Sequence, residues 1–101
     1  KEALRLYKIA ADLGNSCAMN NYALMCFEGD ATNVDKDEAV KYFKKAIDNG
    51  NYMAMINYAN MLYDGDGVEV DKEKAILYYK LAHNAGNKLA KEKLENLGLL
   101  W

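Results

Sequence analysis

Sliding the chain against itself by 36 residues lays 18–53 on 54–89 without a gap, and 17 of the 36 aligned pairs are identical. The identities include Ala18/Ala54, Asn21/Asn57, Tyr22/Tyr58, Ala23/Ala59, Met25/Met61, Gly29/Gly65, Asp35/Asp71, Ala39/Ala75, Tyr42/Tyr78, Ala46/Ala82 and Gly50/Gly86. Self-similarity at such a period marks stacked supersecondary units, none of which can bury its apolar face alone. The register continues backwards, where Ala3, Tyr7, Ala10, Gly14 and Asn15 match Ala39, Phe43, Ala46, Gly50 and Asn51. Forwards, Ala90, Leu97 and Leu99 take the places of Ala54, Met61 and Tyr63. The expected organisation is one repeat domain over 1–101: a second helix at 1–17, full repeats at 18–53 and 54–89, and the first helix of a truncated or capping repeat at 90–101.

The residues within a unit are those of helices. There is no proline in the 101 residues, one serine, one threonine, and an apolar content of 51% rich in Ala, Leu and Met. That composition disfavours strands and favours helices joined by glycine turns, an all-α class. Each unit predicts an inner helix (A), about Ser16–Glu28, and an outer helix (B), about Lys36–Asn49. Asp35 is placed to cap helix B, and Glu38 three residues on completes the pattern of a capping box. Gly14, Gly50 and Gly86 stand where B helices end in a left-handed residue, and Asn15, Asn51 and Asn87 can then cap the A helices that follow.

Helix B is amphipathic, with Ala39, Tyr42, Phe43 and Ala46 on one side and Lys41, Lys44, Lys45 and Asp48 on the other. Helix A is apolar around most of its circumference, so one narrow face is left for solvent. At 100° per residue, Cys17, Asn20, Asn21, Leu24 and Glu28 share a sector of about 100°. The matching sectors hold Met53, Ile56, Asn57, Asn60 and Asp64, then Leu89, Glu92, Lys93, Asn96 and Leu100. Stacked A helices would align the three sectors into one stripe.

Little in the chain carries catalytic or metal chemistry. The only histidine, His83, occupies the helix B position that is Ala11 and Ile47 in the other units, and the only serine, Ser16, sits at a helix start. Two cysteines and one histidine fall short of a structural zinc set. The acidic run Asp64–Asp71 would need glycine at Glu69 and glutamate at Ala75 to be an EF-hand loop, and has neither. No catalytic residue, metal or cofactor is expected. Cys17 and Cys26 lie nine residues apart on one predicted helix, about 13 Å along its axis, too far for a disulfide. A reducing compartment such as the cytoplasm fits that usage. The net charge of −2, with acids and bases interleaved, offers no basic patch for nucleic acid, and no apolar run reaches the length of a membrane span.

The motif Ala54-x-x-Asn57-Tyr58-Ala59-x-Met61-x-Tyr63-x-Gly65-x-Gly67-Val68-x-x-Asp71-x-x-x-Ala75-x-x-Tyr78-Tyr79-x-x-Ala82-x-x-x-Gly86-Asn87, and its partial copy from Ala18, resemble Sel-one-like repeats (SLR), relatives of the tetratricopeptide repeat. In the first unit Ala31 and Thr32 replace the second glycine and the valine of the turn, and the final A helix lacks the glycine turn. The resemblance implies a right-handed superhelical solenoid with A helices on its concave side, and a role as adaptor or scaffold. Members of the family serve in membrane-protein quality control, signalling and bacterial host interaction. Some cysteine-rich relatives have been assigned hydrolytic activity, but they carry a cysteine pair per repeat, which this chain does not.

The expected function is therefore a protein- or peptide-binding scaffold. Its concave stripe would use Asn20, Asn21, Leu24, Ile56, Asn57, Asn60, Lys93 and Asn96, since amides both donate to and accept from an extended peptide backbone. The alternative is a regulatory or spacer segment of a larger protein such as a kinase or other enzyme. The expected partner is a protein or extended peptide, with neither nucleic acid nor membrane insertion. Leu4, Leu6, Leu97 and Trp101 near the two ends suggest end-to-end self-association.

Overall fold

The computed structural model describes residues 2–29 and 34–99. Among them are six α-helices and no strand: α1 Glu2–Asp12, α2 Ser16–Glu28, α3 Lys36–Asp48, α4 Tyr52–Asp64, α5 Lys72–Asn84 and α6 Lys88–Asn96. In the repeat, α2, α4 and α6 are A helices and α1, α3 and α5 are B helices. Asp30 to Asn33, which include the Ala31-Thr32 departure from the repeat turn, lie outside the described residues.

The asparagine after each glycine stop does two jobs. With Gly50 at φ 82°, the N–H of Asn51 turns back to the carbonyl of Ala46 at 2.9 Å and closes α3. The Asn51 side-chain oxygen then accepts from the N–H of Ala54 at 2.9 Å and opens α4. Asn15 and Asn87 repeat the arrangement, so stop and start are set by one Gly-Asn pair.

Two compact units divide the chain, Lys1–Ala54 and Met55–Trp101. In the first, α2 packs against both α1 and α3. Tyr22 meets Tyr42 edge-on with ring centroids 4.7 Å apart, and the Tyr42 hydroxyl donates to Asp12 at 2.7 Å. Phe43 is 1% exposed, and Ala23, Ala39 and Ala46 are fully buried, small residues that let helices approach closely. Burial of the Phe43 ring contributes about 1.5–3 kcal/mol.

The capping box expected at α3 is only half formed. Asp35 accepts from the N–H of Glu38 at 3.0 Å, but the Glu38 carboxylate does not return the bond. The N–H of Asp35 donates instead to the carbonyl of Cys26 at 2.8 Å, and Glu38 accepts from the Tyr22 hydroxyl at 3.0 Å. A tertiary contact to α2 has replaced the local one.

In the second unit the same joint recurs, with Asp71 N–H on the Leu62 carbonyl at 2.8 Å and Asp71 capping Lys74 at 3.0 Å. The rings of Tyr58 and Tyr78 pack at 5.8 Å. Ala90 and Leu94, 0 and 1% exposed, are the buried residues of α6, which packs on α5. Although α6 lacks the repeat's glycine turn, Gly98 at φ 72° stops it, and the Leu99 N–H folds back to the Leu94 carbonyl at 2.9 Å.

Candidate functional site

The solvent-facing sector of the A helices is narrower than 100°. Cys17 and Glu28 on α2, and Met53 and Asp64 on α4, are exposed, while Asn21, Leu24, Asn57 and Asn60 are half-buried. Asn20 and Ile56 do not belong to this face, being 8% and 3% exposed. Each stands about 60° around its helix from an alanine, Ala23 or Ala59, that is fully buried, so the edge of the sector turns into the packing. On α6, Leu89, Glu92, Lys93 and Asn96 are exposed, and Leu100 lies outside the described residues.

Three of the expected stripe residues come together in the second unit. Asn60, Lys93 and Asn96 line an open cleft of about 180 Å³ with Tyr63, Asp64, Tyr79 and Leu97. The Tyr79 hydroxyl donates to Oδ1 of Asn60, which fixes the amide. Burial first, then the Asp64 carboxylate, pushes the Tyr79 phenol up to about 12, so it is a donor at neutral pH. With its oxygen engaged, Asn60 has amide N–H donors to offer a ligand. Lys93 brings a cation, Asp64 an anion, and Tyr63 and Leu97 apolar surface. Amide donors, a cation, an anion and apolar surface thus meet around one cleft.

Asp64 lies in the sector that formed the stripe, whereas Tyr63, Tyr79 and Leu97 were not among the residues the stripe pointed to. A signal for Tyr79 is present in the repeat itself: the first unit has Leu24 and Phe43 at the two places where the second has Asn60 and Tyr79. Both places change from apolar to polar together, as a hydrogen-bonded pair requires.

Neither cysteine is paired. Burial pushes the Cys26 thiol up, which weakens it as a nucleophile. Among the described residues no cluster of His, Cys, Asp and Glu could hold a metal, and no helix is long and apolar enough to cross a membrane.

Helix-turn-helix units repeating every 36 residues define an all-α solenoid class. Within it the sequence pattern of the Sel1 repeat matches residues 1–15, 18–51 and 53–87, and the chain belongs to the Sel1 repeat family. A Sel1 repeat protein from Oxalobacter formigenes is similar in structure, with a TM-score of 0.83 at 32% identity, over 88% of this chain and 36% of that one. A protective antigen present in uropathogenic Escherichia coli strains, displaying an SLR fold, is similar with a TM-score of 0.85 at 33% identity, over 90% of this chain and 20% of that one. The chain thus spans only a fraction of either protein. No curated protein matches it by sequence. Sel1 repeats are helical scaffolds, generally protein-interaction modules and typically without enzymatic activity.

Proposed function

We propose that this chain is a protein- or peptide-binding module that holds an extended segment on the solvent-facing side of its A helices. The observation that carries the reading is the cleft in which Asn60, Lys93 and Asn96 meet Tyr63 and Asp64. Amide donors recognise backbone carbonyls, Lys93 and Asp64 select charge, and Tyr63 supplies apolar contact at low entropic cost. Within the second unit, half-buried Asn57 lies on the same sector of α4 as Asn60.

The test is selection from a displayed library of extended peptides, run in parallel on the native chain and on a Lys93→Glu, Asn96→Lys variant of equal helicity and thermal midpoint. Both side chains are exposed, so the variant keeps the packed interior. Peptides held by the native chain and lost by the variant support the site. Equal recovery, or none from either, contradicts it and favours the second reading, a spacer or regulatory segment of a longer protein. That reading draws on the chain spanning 36% and 20% of two solved structures similar to it.

A further inference from the structure

The three B helices end in the same backbone joint. At Leu13, Asn49 and Ala85 the N–H donates to the carbonyls three and four residues back, and the glycine that follows donates to the carbonyl three residues before it. Gly14, Gly50 and Gly86 then turn at φ 101°, 82° and 93°. Leucine, asparagine and alanine all fit before the glycine, so the joint itself places no demand on that side chain.

Asparagine brings to this place a chemistry that the other two lack, and Asn49 is the one asparagine of the chain followed by glycine. A side-chain amide next to a backbone nitrogen that no Cβ shields can close a five-membered succinimide ring. The Gly50 nitrogen gives its proton to solvent base and bonds to Cγ of Asn49. The Cγ–Nδ2 bond breaks, and the amide nitrogen leaves as ammonia. Water then opens the ring at one carbonyl or the other, leaving aspartate or isoaspartate. Both residues are exposed, so base and water reach them.

Three features of the folded chain hold the reaction back. The Gly50 N–H is engaged by the Ile47 carbonyl at 2.9 Å. The Asn49 amide nitrogen donates to the Lys45 carbonyl at 2.8 Å and reaches the Met19 sulfur at 3.8 Å, which ties the side chain back along α3. With Asn49 at φ −98° and ψ 15°, the Gly50 nitrogen stands far from the eclipsed position beside Cβ that the ring requires. All three depend on the last turn of a helix, the part that frays most readily.

We infer that Asn49-Gly50 is a site of spontaneous deamidation, held closed by the α3 cap and opened when its last turn frays. The product does not refit the joint. Aspartate or isoaspartate has lost the donor that the Lys45 carbonyl and the Met19 sulfur receive. It also sets a negative charge at the C-terminal end of α3, where the helix dipole is itself negative. Isoaspartate adds a backbone carbon just ahead of Gly50 and Asn51, whose N–H groups close α3 and whose Asn51 side chain starts α4. A modified chain is thus less able to re-form the cap that protected it.

The test incubates the full chain at neutral and mildly alkaline pH, folded in buffer and unfolded in guanidinium chloride, with peptide mapping for aspartate and isoaspartate. Asn49 should convert ahead of every other asparagine, faster as pH rises, and at least about tenfold faster unfolded than folded. In the folded chain the Gly50 amide should exchange faster than that of Phe43, as fraying requires. Asn49→Ala, which copies the second repeat, should fold and form no product there. The purified isoaspartate form should melt about 4 °C or more below the native chain, and Asn49→Asp, which has the charge without the extra carbon, should fall between them. Conversion first at another asparagine, equal rates folded and unfolded, a Gly50 amide as protected as Phe43, or an unchanged midpoint in the isoaspartate form would overturn the inference.

Discussion

The hydroxyl of Tyr22 donates to the carboxylate of Glu38 at 3.0 Å, joining α2 to the first turn of α3. In the second unit Lys74 takes the place of Glu38 and lies 5.9 Å from the centre of the Tyr58 ring, the counterpart of Tyr22. One position therefore serves a buried hydroxyl in one repeat and an aromatic face in the other. Glu38→Ala is expected to cost about 1–2 kcal/mol in urea unfolding, because it strips a partner from a buried hydroxyl. Lys74→Ala should cost roughly 0.5 kcal/mol or less, as an exposed cation–π contact allows.

Ala46 is fully buried, and its counterpart Ala82 likewise. Ala46→Leu is expected to overpack the α3 contact and cost about 1–3 kcal/mol, read from the urea midpoint, while Ala46→Gly should cost less in packing and more in helix propensity, about 1 kcal/mol.

Two glycines at positive φ separate backbone strain from crowding. At Gly86, φ 93°, a Cβ would meet no atom within 4 Å, so Gly86→Ala should cost only the left-handed penalty of about 1–2 kcal/mol. At Gly65, φ 71°, the Cβ would stand 2.5 Å from Cγ2 of Val70, so Gly65→Ala should cost more than Gly86→Ala. Equal unfolding midpoints for the two variants would contradict this account of the Asp64–Asp71 turn.

Three of the eight tyrosines titrate late. Burial, then donation to Asp12, pushes Tyr42 up to about 12; burial, then Asp64, does the same for Tyr79; and Tyr22 is raised further, by burial first. Their folded values lie above the unfolded value near 10. Their contribution to stability is therefore complete below about pH 10 and is lost as pH rises towards 12, because the unfolded chain gives up protons that the fold retains. Urea unfolding between pH 8 and 12 should show stability falling above pH 10, with a shallower fall in Tyr42→Phe.

The helices were legible because the signals that bound them are local. Ser16 and Glu28 delimit α2 as the pattern predicts, and the Gly-Asn pairs place each B-helix stop and the A-helix start that follows it. What periodicity could not supply was partner choice. Glu38 has the spacing of a capping-box residue, but a buried tyrosine hydroxyl on the preceding helix competes for it. Asn20 carries a side chain suited to an exposed stripe, yet it faces the packing, as Ile56 does at the same place. The cleft illustrates both sides of this limit: Asn60, Lys93 and Asn96 follow from helical spacing, whereas the bond that fixes Asn60 comes from Tyr79 on another helix. The replacement of Ala23 and Ala59 by Glu95 is visible in the sequence once the repeats are aligned, and it is the plainest sign that α6 differs from α2 and α4.

The most direct test of the binding account is to map a selected peptide onto the isotope-labelled chain by amide and side-chain chemical-shift changes. The account predicts that the largest changes cluster at Asn60, Tyr63, Lys93 and Asn96, including the side-chain amides of both asparagines. Changes confined to the exposed Leu77 and Leu81 of α5, or spread evenly over the chain, would contradict it.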